Sequence, residues 1–306
     1  MKIYTPKDFP LPFETAVTIG SFDGIHLGHK NLFRETFALS KELGVTPLLV
    51  SFDPHPRTVL FPEANFKLLT TFEEKLDLFF RLNIENIAII PFSVSVAQLT
   101  PDLFVEEYLV DNFKAKGIVI GFNFRFGRKR EGDPEFLKRL GERFGFVVKM
   151  VNPVTVDHTT VSSTLIRQTI EKGDIEKTNL FLGHRYFLIG KVIKGQGIGK
   201  KLGFPTANIE IPKNKLLPPS GVYAVWVYYQ NQRFKGAMNI GFKPTFEQKE
   251  LSVEVHLLGF NQELYGKQLK VEFVKKIRPE RKFGSIEELK TQISKDCELI
   301  ETILND

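Results

Sequence analysis

At 306 residues, with 42% hydrophobic and 25% charged residues, the chain is longer than one typical domain of roughly 100–200 residues and has material for two ordinary cores. Its 42 Lys and Arg against 36 Asp and Glu leave a net charge of +6, which attracts polyphosphates but is too modest to establish nucleic-acid binding. The single cysteine, Cys297, excludes an intrachain disulfide, the opening MKIYTPKDFPLPFETAV is neither a secretory signal nor an anchor, and no apolar run approaches the roughly 18 residues of a membrane span, so a cytoplasmic protein without membrane partners is expected.

In chain order, Ala16 to Gly20 reads as an apolar strand, Leu27 to Leu43 as a helix and Pro47 to Phe52 as a buried strand. Asn86 to Phe92 and Gly117 to Phe122 repeat the buried-strand signal. Between them, Pro101 to Phe113 has helical spacing with proline at the favoured first turn. Glu135 to Phe144 follows as an amphipathic helix and Phe146 to Val151 as a strand. This alternation predicts parallel strands joined by crossover helices, an open, doubly wound α/β sheet. After about Gly183 the texture changes to consecutive β-runs: Tyr186 to Val192, Val222 to Tyr229, Phe234 to Ile240, Ser252 to Leu258 and Leu269 to Ile277. Closing them into a small antiparallel barrel would remove their exposed edges. Ser285 with Glu288 reads as a capping box opening a terminal helix that runs to Ile303. No repeat of 20 to 50 residues stands out, and the domain boundary is expected near Gly183 to Tyr186.

Two segments carry phosphate chemistry. SFDGIHLGH, Ser21 to His29, follows the first apolar strand and leads into a helix, whose free N–H groups and positive dipole end would face an anion. Gly24 and Gly28 would admit close approach of backbone or phosphate, and His26 and His29 could set imidazole donors against a phosphoryl oxygen. Metal binding and a polar core are the alternatives for such a pair, although no HExxH or paired-cysteine motif supports a metal cage. VSSTLIR places Ser162, Ser163 and Thr164 at a helix start with Arg167 one turn on, a phosphate-binding arrangement or a simple cap.

The second segment, KGQGIGKKLGFPTAN (Lys194 to Asn208), is made permissive by Gly195, Gly197, Gly199 and Gly203. It is not a Walker A loop, because Lys201 follows Gly199–Lys200 where Ser or Thr is required. A Rossmann fingerprint is disfavoured too, since no helix is expected after these glycines. Pro205 would fix the backbone while Thr206 and Asn208 offer oxygens to Mg²⁺ or phosphate. On a strand, Glu254 would share a face with His256.

The two segments resemble the two halves of the bacterial bifunctional riboflavin kinase/FAD synthetase family. Further similar blocks follow in order: SFDPHPR (Ser51 to Arg57), GFNFRFG (Gly121 to Gly127), VSSTLIR (Val161 to Arg167), GVYAVWV (Gly221 to Val227), MNIGFKPTF (Met238 to Phe246) and VEVHLLGF (Val253 to Phe260). The resemblance implies a Rossmann-like, doubly wound nucleotidyltransferase domain over residues 1–183, the FMN adenylyltransferase (FAD synthetase). Residues 184–306 would be the riboflavin kinase domain, a small antiparallel β-barrel with a terminal helix. ATP would be co-substrate in both steps, with riboflavin, FMN and FAD as substrates or products and Mg²⁺ as cofactor.

By the same resemblance, His26 and His29 would bind the triphosphate and stabilise the transferring adenylyl group, and Gly20, Phe22, Asp23, Gly28, Ser163, Thr164 and Arg167 would bind nucleotide phosphates. Asp53, Asn123 and Arg125 would contribute to the flavin pocket, and His55 could shape it, although a turn fixed by Pro54 and Pro56 explains FDPHP equally well. In the barrel, Gly195, Gly197, Gly199, Lys200, Gly203, Pro205, Thr206 and Asn208 would hold ATP, with Thr206 and Asn208 on the metal. Glu254 would be the base acting on the ribityl hydroxyl, and Arg278, Arg281 and Phe283 would lie over the flavin unless they form only a charged turn. Gly259 departs from the family pattern, which has aspartate there. Two rivals stay open: another adenylyl- or cytidylyltransferase with a barrel used only for binding, and a nucleic-acid-binding barrel protein. The resemblance implies no nucleic-acid partner and leaves homo-oligomerisation open.

Overall fold

The computed structural model describes residues 1–195, 197–244 and 249–305; Gln196 of the glycine-rich loop, and Thr245 and Phe246 of the MNIGFKPTF block, lie outside them. Two compact units divide the chain, Met1–Leu68 with Phe72–Ser163, and Leu69–Thr71 with Thr164–Asp306.

The first unit is built on strands β1 (Lys2–Tyr4), β2 (Thr15–Ile19), β3 (Thr46–Asp53), β4 (Asn86–Pro91), β5 (Ala115–Gly121) and β6 (Val147–Val151). All pair in parallel, in the order β1-β4-β3-β2-β5-β6. Helices α1 (Leu27–Leu43), α2 (Pro56–Leu60), α3 (Phe72–Arg81), α4 (Val94–Ala97), α5 (Pro101–Phe104) and α6 (Pro134–Phe144) are interleaved with them. Strand β2, TAVTI, is buried at every position, as a parallel strand covered on both faces must be. Helix α1 lies tightly on β5 because Gly117 has no side chain: a Cβ there would sit 2.7 Å from both Leu39 and Leu43.

Two differences from the expected elements stand out. Strand β1 was not anticipated, since three residues are too few to show periodicity. The helix expected from Pro101 to Phe113 is present but changes its winding: Val105–Asn112 is π-helical, and the Phe113 N–H reaches back five residues to the Tyr108 carbonyl at 2.9 Å. The ribbon β7 (Thr155–Val156) and β8 (Thr159–Thr160) then leads to α7 (Ser163–Lys172).

Strand order decides where chemistry can occur. Because β3 lies on one side of β2 and β5 on the other, the chain direction across the sheet reverses at β2, and ligands of such sheets gather at the carboxyl ends beside that reversal. Those ends deliver Asp53 from β3, the Ser21–His29 loop from β2 and Asn123 from the turn after β5 to one sheet edge.

In the second unit, α8 (Ile175–Leu182) precedes a closed barrel of β9 (Phe187–Ile193), β10 (Ala207–Glu210), β11 (Gly221–Tyr229), β12 (Gln232–Pro244), β13 (Lys249–Leu257) and β14 (Gln268–Pro279). The order β10-β13-β12-β11-β14-β9 closes through an antiparallel β9–β10 pairing. The closing strand β10 is the one missing from the sequence reading, being four residues long and half buried. It fits against β9 because a Cβ on Gly190 would come within 2.4 Å of Ile209 and 2.5 Å of the Glu210 carbonyl. Gln230 and Asn231, both at positive φ, make the two-residue turn from β11 to β12.

A short helix, α9 (Ile198–Leu202), occupies the glycine-rich loop, where none was expected; Gly197 and Gly203 flank it in left-handed conformation. The terminal helix α10 (Ile286–Ile303) buries Ile300 among Val222, Ala224 and Trp226 of β11, with Leu304 just beyond its end. Its expected capping box is half realised. Ser285 accepts from the Glu288 N–H at 3.1 Å, but the Glu288 carboxylate receives the Gly284 N–H at 2.9 Å rather than that of Ser285.

The second unit also includes chain from before Gly183. Asn179 on α8 donates to the Phe273 carbonyl at 3.0 Å and accepts the Tyr186 N–H at 2.7 Å. Buried Lys215 donates to the carbonyls of Leu69 at 2.7 Å and Phe187 at 2.8 Å.

Candidate active sites

The loop after β2 turns sharply. Phe22, Gly24 and Ile25 all take positive φ, of 46°, 86° and 40°. For Phe22 and Ile25 this is a costly conformation that only a strongly determined surrounding sustains. Part of that surrounding is apolar: the Phe22 ring meets the edges of His29, Phe33 and Phe79. Gly20 admits the Phe22 ring, to which a Cβ would approach within 2.9 Å.

His26 then caps α1, its Nδ1 accepting the His29 backbone N–H at 3.4 Å. An accepting Nδ1 places the proton of neutral His26 on Nε2. Gly28 permits this fold-back, because a Cβ there would press within 3.0 Å of His26 Cε1 and 3.1 Å of its Nδ1. The His26 and His29 rings stack with centroids 3.7 Å apart and planes at 19°. No acidic residue occupies the first turn of this 17-residue helix, so its positive end is not neutralised locally. Ser163, at the start of α7, donates to the Asp23 carbonyl of the same loop at 3.0 Å. Thr164 and Arg167 follow on α7, Thr164 exposed.

His29 Nδ1 is buried and has no hydrogen-bond partner among the described residues. Burial holds its imidazolium well below the ordinary histidine range, and the neighbouring His26 and Lys75 push the same way. An unfolded histidine titrates near about 6.5, so below that pH the unfolded chain takes up a proton that the folded one refuses. Stability contributed by neutral His29 is therefore complete above this value and is lost as pH falls toward the depressed folded value. The melting temperature of the first unit is expected to fall on acidification from about pH 7.5 to about 5.5, with a smaller slope in His29→Gln. Equal slopes in calorimetric scans of the two proteins would remove His29 as the source.

The second site lies on the barrel. Thr206 Oγ1 donates to Glu254 Oε2 at 2.9 Å, and Ser252 Oγ donates to Glu254 Oε1 at the same distance. Asn208 stands opposite Glu254 in the β10–β13 register. The glycine-rich loop folds back over these groups: a Cβ on Gly195 would fall 2.1 Å from the Asn208 amide, and one on Gly199 3.1 Å from Thr206 Oγ1. His256 Nδ1 lies 2.7 Å from the Pro205 carbonyl, which secures the FPTAN turn against β13. Lys200 is exposed on α9. Among the described residues no group of three or more His, Cys, Asp or Glu is arranged for a metal. A hydroxyl, an amide oxygen and a nearby carboxylate nevertheless fit Mg²⁺, which binds few protein oxygens and completes its shell with phosphate and water.

A family model described as FAD synthetase matches residues 10–165, and one described as riboflavin kinase matches residues 182–304. The bifunctional riboflavin kinase/FMN adenylyltransferase of Bacillus subtilis (strain 168) is 37% identical over 288 residues, spanning 92% of this chain and 90% of that protein. That of Escherichia coli (strain K12) is 33% identical over 281 residues, again 92% and 90%. The chain belongs to the bifunctional riboflavin kinase/FMN adenylyltransferase family.

A crystal structure named as a macrolide-efflux protein from Streptococcus pneumoniae has the same fold, with a TM-score of 0.90, 31% identity and coverage of 98% of this chain and 99% of that one. Among the described residues of this chain, no helix is long and apolar enough to cross a membrane.

Several residues expected at the flavin have other partners. Arg125 pairs with Asp133, the cap of α6, at 3.2 Å. Arg278 grips buried Asp296 of α10 through Nε at 2.9 Å and Nη2 at 2.8 Å. Arg281 donates to Gln292 at 2.9 Å and lies over the Phe283 ring. Asn123 is exposed beyond β5, with its side-chain oxygen beside Gly121. Asp53, at the end of β3, has its carboxyl raised by burial against the opposing pull of Lys75. His55 caps α2 by accepting the Arg57 N–H at 3.1 Å. Gly259 sits in left-handed conformation with open space where a side chain would be, a turn position that aspartate tolerates as well.

Two residues escaped the sequence reading. Ser252 lies two positions before Glu254 on the same strand face, so strand alternation could have singled it out. Lys75 carried no local signal, because it is one charge among several on an amphipathic helix.

Proposed function

We propose that the chain makes FAD in two ATP-dependent steps, with the barrel phosphorylating riboflavin to FMN and ADP and the Rossmann-like sheet adenylylating FMN to FAD and pyrophosphate. The observation that carries this division is the pair of separate constellations: Thr206, Ser252 and Glu254 on the barrel, and the stacked His26–His29 pair at the head of α1.

In the first step Glu254 takes the proton of the terminal ribityl hydroxyl as that oxygen attacks the γ-phosphorus of ATP. Donors on both carboxylate oxygens fix the orientation of the base before substrate arrives. Mg²⁺, held by Thr206 and Asn208, would neutralise charge on the ATP phosphates. The glycines of the Lys194–Gly203 loop bring backbone close to those phosphates, with Lys200 alongside. In the second step an FMN phosphate oxygen attacks the α-phosphorus of ATP and pyrophosphate departs, without a covalent enzyme intermediate. The N-terminal amides of α1, the Nε2–H of His26 and the ring of His29 stabilise the charge that develops. Ser163, Thr164 and Arg167 hold phosphates, and Asp53 and Asn123 border the flavin. The substrates and the single cysteine support a cytoplasmic location.

The functional boundary lies near Gly183, so a Gly183–Asp306 fragment is expected to make FMN in the presence of Mg²⁺ and no FAD. Asn179 and the 2.9 Å Glu176–Lys275 ion pair are absent from that fragment, which leaves the Tyr186 N–H and the Phe273 carbonyl without their side-chain partner. A Thr164–Asp306 fragment keeps these bonds. Each buried hydrogen bond lost costs about 1–3 kcal/mol, so the shorter fragment should melt several degrees lower. Product separation after incubation with riboflavin, ATP and Mg²⁺ checks the activity, and a folded longer fragment that makes no FMN would contradict the division of labour.

A further inference from the structure

Lys75 is 4% exposed on the inner face of α3, and its ammonium group donates to the Ser21 carbonyl at 2.8 Å and to Ser51 Oγ at 3.3 Å. Ser51, itself fully buried near the end of β3, also donates to the Ser21 carbonyl, at 3.4 Å. Ser21 is the residue immediately before the positive-φ turn that carries Phe22, Gly24 and Ile25 into the histidine pair. An ammonium group is a costly device for bracing one carbonyl, since burial disfavours its charge. A neutral hydrogen-bond donor would satisfy the same carbonyl without a buried charge. What the charge adds is a fixed positive field beneath the loop, at the sheet edge proposed above to receive the ATP phosphates.

We infer that Lys75 is a positioning residue for adenylyl transfer: it clamps the Ser21 carbonyl so that the strained loop presents the His26–His29 stack, and its buried charge adds to the field that receives the transferring phosphate. The inference rests on the assignment of this loop to adenylyl transfer. The charged groups facing Lys75 are Asp23 and Asp53, which favour its ammonium form, and the imidazole of His29, which Lys75 helps to keep neutral.

The test uses full-length Lys75→Met and Ser51→Ala proteins. FAD formation from supplied FMN should fall about 10–100-fold in kcat in Lys75→Met and about 3–10-fold in Ser51→Ala, with KM for ATP changed less than about threefold. Riboflavin phosphorylation by the same preparations should be unaltered. The His29 imidazole, followed by NMR, should titrate at higher pH in Lys75→Met, because a repelling cation has gone; a purely structural brace would not move it in that direction. FAD synthesis within twofold of the parent in a folded Lys75→Met protein overturns the inference, as does a loss confined to KM. Where Lys75→Met unfolds the first unit, Ser51→Ala decides, and an unchanged rate there overturns it equally. Should His29→Ala leave FAD synthesis intact, the assignment of the loop falls, while the His29 titration still reports whether Lys75 acts on the pair.

Discussion

Replacing Glu254 with glutamine is expected to lower FMN formation by roughly 10²–10⁴ while FAD formation from supplied FMN stays within about twofold. Thr206 and Ser252 each give a hydroxyl hydrogen to one carboxylate oxygen of Glu254, both at 2.9 Å. A glutamine can accept only one of these through its carbonyl and must present its NH₂ group to the other hydroxyl, which can rotate to accept. The strand pairing around position 254 and the buried neighbours Val253 and Val255 are untouched, so the fold should persist. What disappears is the ability to take a proton from the attacking hydroxyl. Ser252→Ala provides the graded comparison: it frees one carboxylate oxygen and keeps the base, and its effect should be much smaller. Steady-state assays of both reactions on one preparation check the expectation. Normal riboflavin phosphorylation in Glu254→Gln would remove Glu254 from the proton transfer.

The converse result is expected for His29→Ala, a loss of about 10²–10³ in FAD formation with riboflavin phosphorylation preserved. Two contributions combine. The ring that stacks on His26 at 3.7 Å is removed, which frees His26 to turn away from its capping position. The buried Nδ1, without a partner among the described residues, is removed as well. His29→Gln separates them, since the amide can supply a polar atom but cannot stack like an imidazole. The edge contact of Phe22 with His29 is lost in both variants, so a calorimetric or near-ultraviolet circular dichroism check of the folded state belongs with the assay. Parallel loss of both activities in a folded protein would count against separate sites.

Much of this architecture is local, and local features are readable from neighbouring residues. The alternation of apolar strands with helices calls for a parallel sheet, and consecutive β-runs after Gly183 call for an antiparallel one, because side-chain periodicity follows directly from backbone geometry. The cap at His26 and the need for Gly28 behind it also fall within a single helical turn, where residue spacing alone sets proximity. Thr206, Asn208 and Glu254 were singled out by the resemblance of their blocks, and the fold brings Thr206 and Asn208 beside Glu254.

Other features depend on which strands become neighbours. Closure through β10, four residues long, depends on β9 and β13 arriving on either side of it, and so short a strand has no pattern of its own. Arg125 and Arg278 carry the same charge as any other arginine; only the folded chain sets Asp133 and Asp296 against them. Asn179 belongs with the barrel because α8 packs on β14, although in sequence it precedes the change of texture. Lys75 is the clearest instance. It lies 54 residues from Ser21 and 24 from Ser51, and it becomes a buried cation beneath the turn after β2 only because β3 pairs with β2 and α3 brings Lys75 to the Ser21 carbonyl and Ser51. Side-chain type and spacing therefore determined the sheet classes and most of the longer strands and helices, while the short strands β1 and β10 and the partners of buried charges were decided by tertiary packing, since desolvation and hydrogen bonding act between groups that sequence separation leaves unrelated.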